Sequence, residues 1–307
     1  MFRFLAVLLL GLFSLVSCKN IVRKYDTRVH KSYQRKDFSS QTVELGNHNI
    51  FYYDNKRENA PVLLLVHGFG GDGKISWKDQ AKAFEDDYRA IIPDILWFGK
   101  SKSTATPELQ TQVDAIIDLI EYLKVDKIHL VGISYGGFIG LGVAQKSGEK
   151  LASLTIVDSP GIHFTDAESQ AFCDKIGVDS ISDAFIPQNS DEVKRMLDFA
   201  FRKPPKLPGF IRKQTLGIYM SKNPIEQRKM LNNLPENRKQ FQELKIEKPV
   251  LILWGEDDEV FLIEDAKQLQ EQLGAQLVII PKAGHGLPSE QPKDFNKALR
   301  NFIESVE

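Results

Sequence analysis

A serine set between two glycines, directly after an apolar run, constrains this chain more than any other feature. Gly132-Ile133-Ser134-Tyr135-Gly136 follows the apolar stretch 127–133 and precedes a helical stretch at 138–145. A G-x-S-x-G match alone arises by chance in about one chain in ten of this length at ordinary glycine usage. The strand–turn–helix setting makes it informative, because the flanking glycines permit a strained serine that presents its hydroxyl at the end of a sheet. A serine hydroxyl is a poor nucleophile unaided, so this reading requires a base and an acid to orient that base.

The chain has six histidines. His30 lies in a polar stretch, His48 in an early hairpin, and His129 inside the strand before Ser134, as a packed core residue. His67 follows the strand Val62–Val66, and His163 opens a helical region where it could line a pocket. His285 remains, in Ala283-Gly284-His285-Gly286 just after the strand Gln276–Ile280, and is the expected base. Trp254-Gly255-Glu256-Asp257-Asp258-Glu259 offers four carboxylates after the strand 250–254. Such a cluster is usually a solvated turn, but the chain order serine, acid, histidine requires an acid about here. Asp258 is the expected acid and Asp257 its main competitor; Asp158, ending the neighbouring strand 151–158, could reach the same histidine.

His67-Gly68-Phe69-Gly70-Gly71 can aim a backbone N–H at an oxygen that becomes negative during acyl transfer, with the amides of Phe69 and Tyr135 as the expected pair. Such fixed donors matter by roughly a few kcal/mol. The same turn spells a rival: Gly68, Gly70 and Gly73 form G-x-G-x-x-G, with Asp94 placed as a ribose-binding acid would be. That dinucleotide reading leaves Ser134, the later acids and His285 without a role. The chain has no H-E-x-x-H and no paired C-x-x-C, so neither a metal nor an organic cofactor is expected.

Short apolar runs alternate with helical stretches from about residue 41, which predicts an α/β fold with a mostly parallel sheet flanked by helices. Val62–Val66 is apolar throughout, as in strands buried on both faces. Between 161 and 244 the alternation stops, and proline-broken helical stretches rich in phenylalanine predict a helical cap inserted over the sheet's C-terminal edge. Residues 41–160 and 245–307 then form the core, and 307 residues suffice for both. A net charge of −1 shows no basic excess, which argues against nucleic acid as a partner. No feature bears on oligomeric state.

The N-terminus differs. One arginine, an apolar run over residues 4–16 and small residues at its end make 1–17 a secretory signal, shorter than the roughly 20 residues that span a bilayer. Leu15-Val16-Ser17-Cys18 resembles the lipobox of bacterial lipoproteins, which implies a palmitate-type lipid anchor on Cys18 and a cell-envelope location, with Lys19 leaning toward an outer membrane. The basic stretch 18–40 is expected to be a tether between the anchor and the folded domain, either solvated or with its positive charge against anionic headgroups. Cys173, the other cysteine, is expected to be a packed thiol.

Taken together, G-x-S-x-G, H-G-x-x, W-G-x-x-D and G-H in this order resemble the α/β-hydrolase superfamily. The resemblance implies Ser134 as nucleophile, Phe69 in the oxyanion loop, Asp258 as acid and His285 as base, and its W-G-x-x-D spacing selects Asp258 over Asp257. More loosely, Val66–Gly71, His129–Gly132 and Phe199–Pro205 are similar to bacterial esterases and lipases related to monoacylglycerol lipases, implying a small-molecule or lipid ester as substrate. A diketone-cleaving carbon–carbon hydrolase or a non-catalytic binding lipoprotein are the alternatives. The family's D-x-P-G-x-G-x-S loop is replaced by Asp94-Ile95-Leu96-Trp97-Phe98-Gly99-Lys100-Ser101, so Trp97, Phe98 and His163 are expected to touch substrate.

Overall fold

The computed structural model describes residues 20–307; residues 1–17, expected to be a signal segment, and Cys18 lie outside them. The chain runs α1 (Ile21–Gln34), β1 (Ser39–Leu45), β2 (His48–Asp54), β3 (Val62–Val66), α2 (Gly73–Ser76), α3 (Lys78–Phe84), β4 (Arg89–Pro93), β5 (Lys102–Ser103), α4 (Leu109–Leu123), β6 (Ile128–Ile133), α5 (Tyr135–Ser147) and β7 (Leu151–Val157). There follow α6 (Asp166–Ile176), α7 (Ile181–Phe185), α8 (Ser190–Ala200), α9 (Gly209–Thr215) and α10 (Pro224–Asn237). The last elements are β8 (Val250–Gly255), α11 (Ile263–Leu273), β9 (Gln276–Ile280), α12 (Leu287–Glu290) and α13 (Pro292–Val306).

The sheet order is β1-β2-β4-β3-β6-β7-β8-β9, with β5 against β2; β1 and β2 run antiparallel and the rest of the path from β4 to β9 is parallel. Every residue of β3 and β8 is buried, as strands covered by helices on both faces must be. Register places the site. Val66 pairs with Gly132, Val157 with Leu253 and Gly255 with Ile280. The turns after β3, β6, β7, β8 and β9 therefore leave the same edge side by side, where open α/β sheets bind ligands. Helices α6–α10 all lie between β7 and β8, and α8 and α9 come down over that edge.

Most of the stretch expected to be a tether is instead helix α1, with Val22, Val29 and Tyr33 buried. Those residues recur at helical spacing and share one face. Tyr33 packs on Phe38 and Tyr53 at ring distances of 5.1 and 4.7 Å, and its hydroxyl donates to the Lys74 carbonyl at 3.1 Å. The basic residues between them occupy the exposed face, so a reading by charge count sees a linker where period shows a docked helix. Pro235, in the stretch expected to be broken by prolines, lies inside α10, which ends two residues later at Asn237. Cys173 is buried in α6.

Candidate active site

Ser134 stands between β6 and α5 with φ 54° and ψ −120°. A non-glycine residue there is strained by roughly 1–3 kcal/mol, which the surrounding fold must hold. Its amide donates to the Val157 carbonyl at 2.9 Å, and its carbonyl accepts from Gly137 at 2.8 Å. The sharp turn forces backbone against backbone: a Cβ on Gly132 would fall 2.1 Å from the Gly136 carbonyl oxygen. A Cβ on Gly68 would lie 2.9 Å from the Ser134 Cβ, so the turn after β3 passes directly beside the serine.

His285 and Asp258 meet from the two loops after β9 and β8. His285 Nδ1 lies 2.9 Å from Asp258 Oδ2, while Asp258 Oδ1 accepts from the amides of Val260 at 2.8 Å and Phe261 at 3.2 Å. An ionised carboxylate only accepts, so Nδ1 carries the imidazole proton and Nε2 keeps its lone pair. Nε2 is buried and has no hydrogen-bond partner among the described residues. Ser134 and His285 both line one cavity of about 680 Å³, within the range of about 300–1,000 Å³ usual for small-ligand sites. Its other walls are largely apolar, including Met196, Leu197, Leu207 and Ile211. A second, smaller apolar cavity, walled by Phe164, Phe185, Leu231 and Phe261, also reaches Ser134.

The competing acids have other duties. Asp257 is exposed and pairs with Arg202 at 2.6 Å. Asp158 is fully buried, accepts from the Gly255 amide at 2.8 Å, and leaves Oδ2 without a partner among the described residues. Burial holds its carboxyl well above the usual range, and the Asp258 charge adds to that. One oxygen each of Asp158 and Asp258 and a ring nitrogen of His285 lie within 4.8 Å of one another, so the Asp158 carboxyl sits behind the Asp258–His285 pair.

Phe69 follows Gly68, and its ring packs on Tyr135 at 5.2 Å and on Phe98 at 4.8 Å. The Tyr135 amide, at the first position of α5, has no partner within its helix. His67 is buried, with Nδ1 2.7 Å from the Gly68 carbonyl and Nε2 accepting from the Ile95 amide at 3.1 Å. Those contacts fix its tautomer and pin the turn after β3 to the loop after β4. Burial pushes its pKa down to about 4 from an ordinary 6.5. A histidine kept neutral in the folded state destabilises it as pH falls, because the unfolded chain takes up the proton first. Between pH 6.5 and about 4, His67 should therefore cost roughly 2–3 kcal/mol of stability. Urea unfolding at pH 7 and pH 4.5 should show wild type losing about 2 kcal/mol more than His67→Gln.

Three residues expected at substrate lie elsewhere. Trp97 and Phe98 are 3% and 2% exposed and wall neither cavity at Ser134. Without the proline-glycine pair, Trp97 takes φ 65° and turns inward; its carbonyl accepts from Asn223 and Gln227 of the cap, and Phe98 packs behind His67 and Phe69. His163 faces away and contacts Gln272 at 2.8 Å. The nucleotide-like glycines serve the fold: the Gly73 amide donates to Asp94 Oδ1 at 2.9 Å, and Asp94 Oδ2 accepts from Lys100 at 2.8 Å. Cavity residues that the sequence reading missed are Ile21, Val22 and Tyr25 of α1 and Tyr219 of the cap.

Residues 63–298 match the alpha/beta hydrolase family. The chain belongs to that family. It is 27% identical to Lipase 1 of Psychrobacter immobilis over 98% of this chain and 97% of that lipase. Bovine monoacylglycerol lipase ABHD6 is 23% identical over 91% of this chain and 87% of its own length. Among solved structures, a bacterial membrane phospholipase A superposes with a TM-score of 0.77 at 24% identity, covering 100% of this chain and 99% of that one.

Proposed function

We propose that this chain is a serine hydrolase that cleaves carboxylic esters of lipid type, with Ser134, His285 and Asp258 as its triad. The observation that carries this reading is the pairing of a strained serine with an unpartnered imidazole nitrogen in one apolar cavity. In this mechanism His285 Nε2 takes the proton from Ser134 Oγ as the oxygen attacks the ester carbonyl. Asp258 holds the imidazole and stabilises its charge. The carbonyl oxygen, now negative, accepts from the amides of Phe69 and Tyr135. His285 then gives the proton to the departing alcohol, and water activated by the same nitrogen releases the acid from the serine.

The apolar walls favour an ester with a hydrocarbon arm over a charged or sugar-like substrate. Lipase 1 of Psychrobacter immobilis and monoacylglycerol lipase ABHD6, as relatives, support lipid esters as the class. The Leu15–Cys18 lipobox supports a lipid anchor at Cys18 that holds the enzyme on a membrane of the cell envelope, the outer membrane by the Lys19 criterion. No helix among the described residues is long and apolar enough to cross a membrane.

Hydrolysis of p-nitrophenyl esters from C2 to C16 tests the reading. Turnover should favour medium or long chains over acetate, sediment with membranes, and become soluble in Cys18→Ala. Absence of turnover on the whole series would sink the ester assignment; soluble wild-type activity would sink the anchor.

A further inference from the structure

Helix α1 lies outside the family segment 63–298, yet it forms one wall of the cavity that holds Ser134. Val22 is buried there, while Ile21 and Tyr25 line the same space and remain 41% and 45% exposed. The cavity therefore runs from the nucleophile out to solvent along this helix. The facing wall is cap, from Ile211 and Thr215 of α9 to Tyr219 in the turn that follows.

Apolar contact alone would let such a helix slide or rotate on its neighbours. A charge cluster around the buried Lys74 fixes its register. Asp26 Oδ1 accepts from Lys74 Nζ at 2.6 Å and from the Tyr219 hydroxyl at 2.8 Å. The same ammonium donates to Asp72 Oδ2 at 2.7 Å and sits 5.7 Å from the Tyr219 ring centre. Its side chain is only 9% exposed. Asp72 in turn caps α2, accepting from the Ile75 amide at 3.0 Å, and so belongs to the turn that carries Phe69. One ammonium thus joins α1, the cap and the loop beside the nucleophile. A second tie runs from the Val22 amide to Gln214 Oε1 at 3.2 Å. Buried ion pairs add little net stability over apolar packing, and their better-attested use is to specify a single arrangement.

We propose that α1 is the selectivity element for the hydrocarbon arm of the substrate, and that Asp26, acting through Lys74, is the positioning residue that holds it. The substrate class is an ester with a linear apolar chain long enough to reach from Ser134 to Val22 and Tyr25. A short acyl chain ends before α1 and does not sense it. This inference rests on the ester-hydrolase reading for its substrate, and on the cavity geometry for the role of the helix.

The test uses the full-length chain in detergent, with C4 and C12 p-nitrophenyl esters, on wild type, Asp26→Asn, Asp26→Glu and Val22→Phe. Binding of a dansyl-labelled C12 fatty acid is measured in parallel, and melting temperatures identify folded variants. Asp26→Asn and Val22→Phe should lower the C12-to-C4 ratio of kcat/KM about tenfold, the effect of returning roughly two methylenes to water. The loss should appear in KM for C12, the fatty-acid probe should weaken in parallel, and Asp26→Glu should restore part of both. Ratios and probe affinity within twofold of wild type in folded Asp26→Asn and Val22→Phe would overturn the proposal. If Asp26→Asn does not fold, Val22→Phe alone decides, since it leaves the charge cluster intact. If wild type cleaves no ester, the ester reading falls, and the probe affinities still decide the role of α1.

Discussion

Ser134→Ala should lower ester turnover by about 10⁴- to 10⁶-fold, the range seen when a nucleophile that acts as a unit with its base is removed. The residue that replaces it keeps the backbone strain of φ 54° but adds no atom, so the turn and the cavity persist. What remains is an apolar cavity with the proposed oxyanion amides and an imidazole that has no hydroxyl to deprotonate. Residual rate then comes from binding and the oxyanion donors alone. His285→Ala should fall nearly as far, and the double variant little further, because neither group works without the other. A fluorophosphonate probe should label wild type and leave Ser134→Ala unlabelled, with melting temperatures within a few degrees. Labelling that survives in the variant would place the nucleophile elsewhere.

How much of this was legible beforehand depends on which physical signal each part carries. The parallel strands are short apolar runs, and β3, β4 and β9 begin and end where their composition changes, as do α4, α11 and α13. Ser134 and His285 were legible because the glycines around each mark turns, and alternation of strand and helix puts those turns on one edge. The turn after β3 was legible as a glycine cluster after a buried strand. Helix α1 was not, because Arg23, Lys24, Asp26, Thr27 and Arg28 lie between its buried Val22 and Val29, and His30, Lys31 and Ser32 between Val29 and Tyr33. Its partner, Lys74, reads as an ordinary surface lysine. Only the fold shows it buried between Asp26 and Asp72. Trp97 and Phe98 misled for a related reason: bulky aromatics near a site fit a pocket as well as a support. Burial behind Phe69 comes from the positive φ that Trp97 adopts, which no composition rule reveals.

The second large effect separates the three acids near His285. Asp258→Asn should lower turnover by about 10³- to 10⁴-fold, because it changes the tautomer of the base and leaves its position alone. Asp258 Oδ1 accepts from two amides, Val260 and Phe261, and an asparagine keeps its carbonyl there. Its amide nitrogen then faces His285 Nδ1, which must accept, and the imidazole proton moves to Nε2. The nitrogen that should take the serine proton already carries one. Asp158→Asn should cost less than about tenfold. Burial and the neighbouring Asp258 charge already hold the Asp158 carboxyl well above the usual carboxylate range, and an amide of the same shape still accepts from Gly255. Asp257→Asn removes only an exposed ion pair with Arg202, of a kind that contributes about 0–1 kcal/mol, and should leave turnover within about threefold. Steady-state kinetics on one good ester, at pH 8, ranks the three. Collapse in Asp158→Asn with Asp258→Asn spared would move the acid to the strand end of β7 and reverse the assigned roles of the two buried carboxyls.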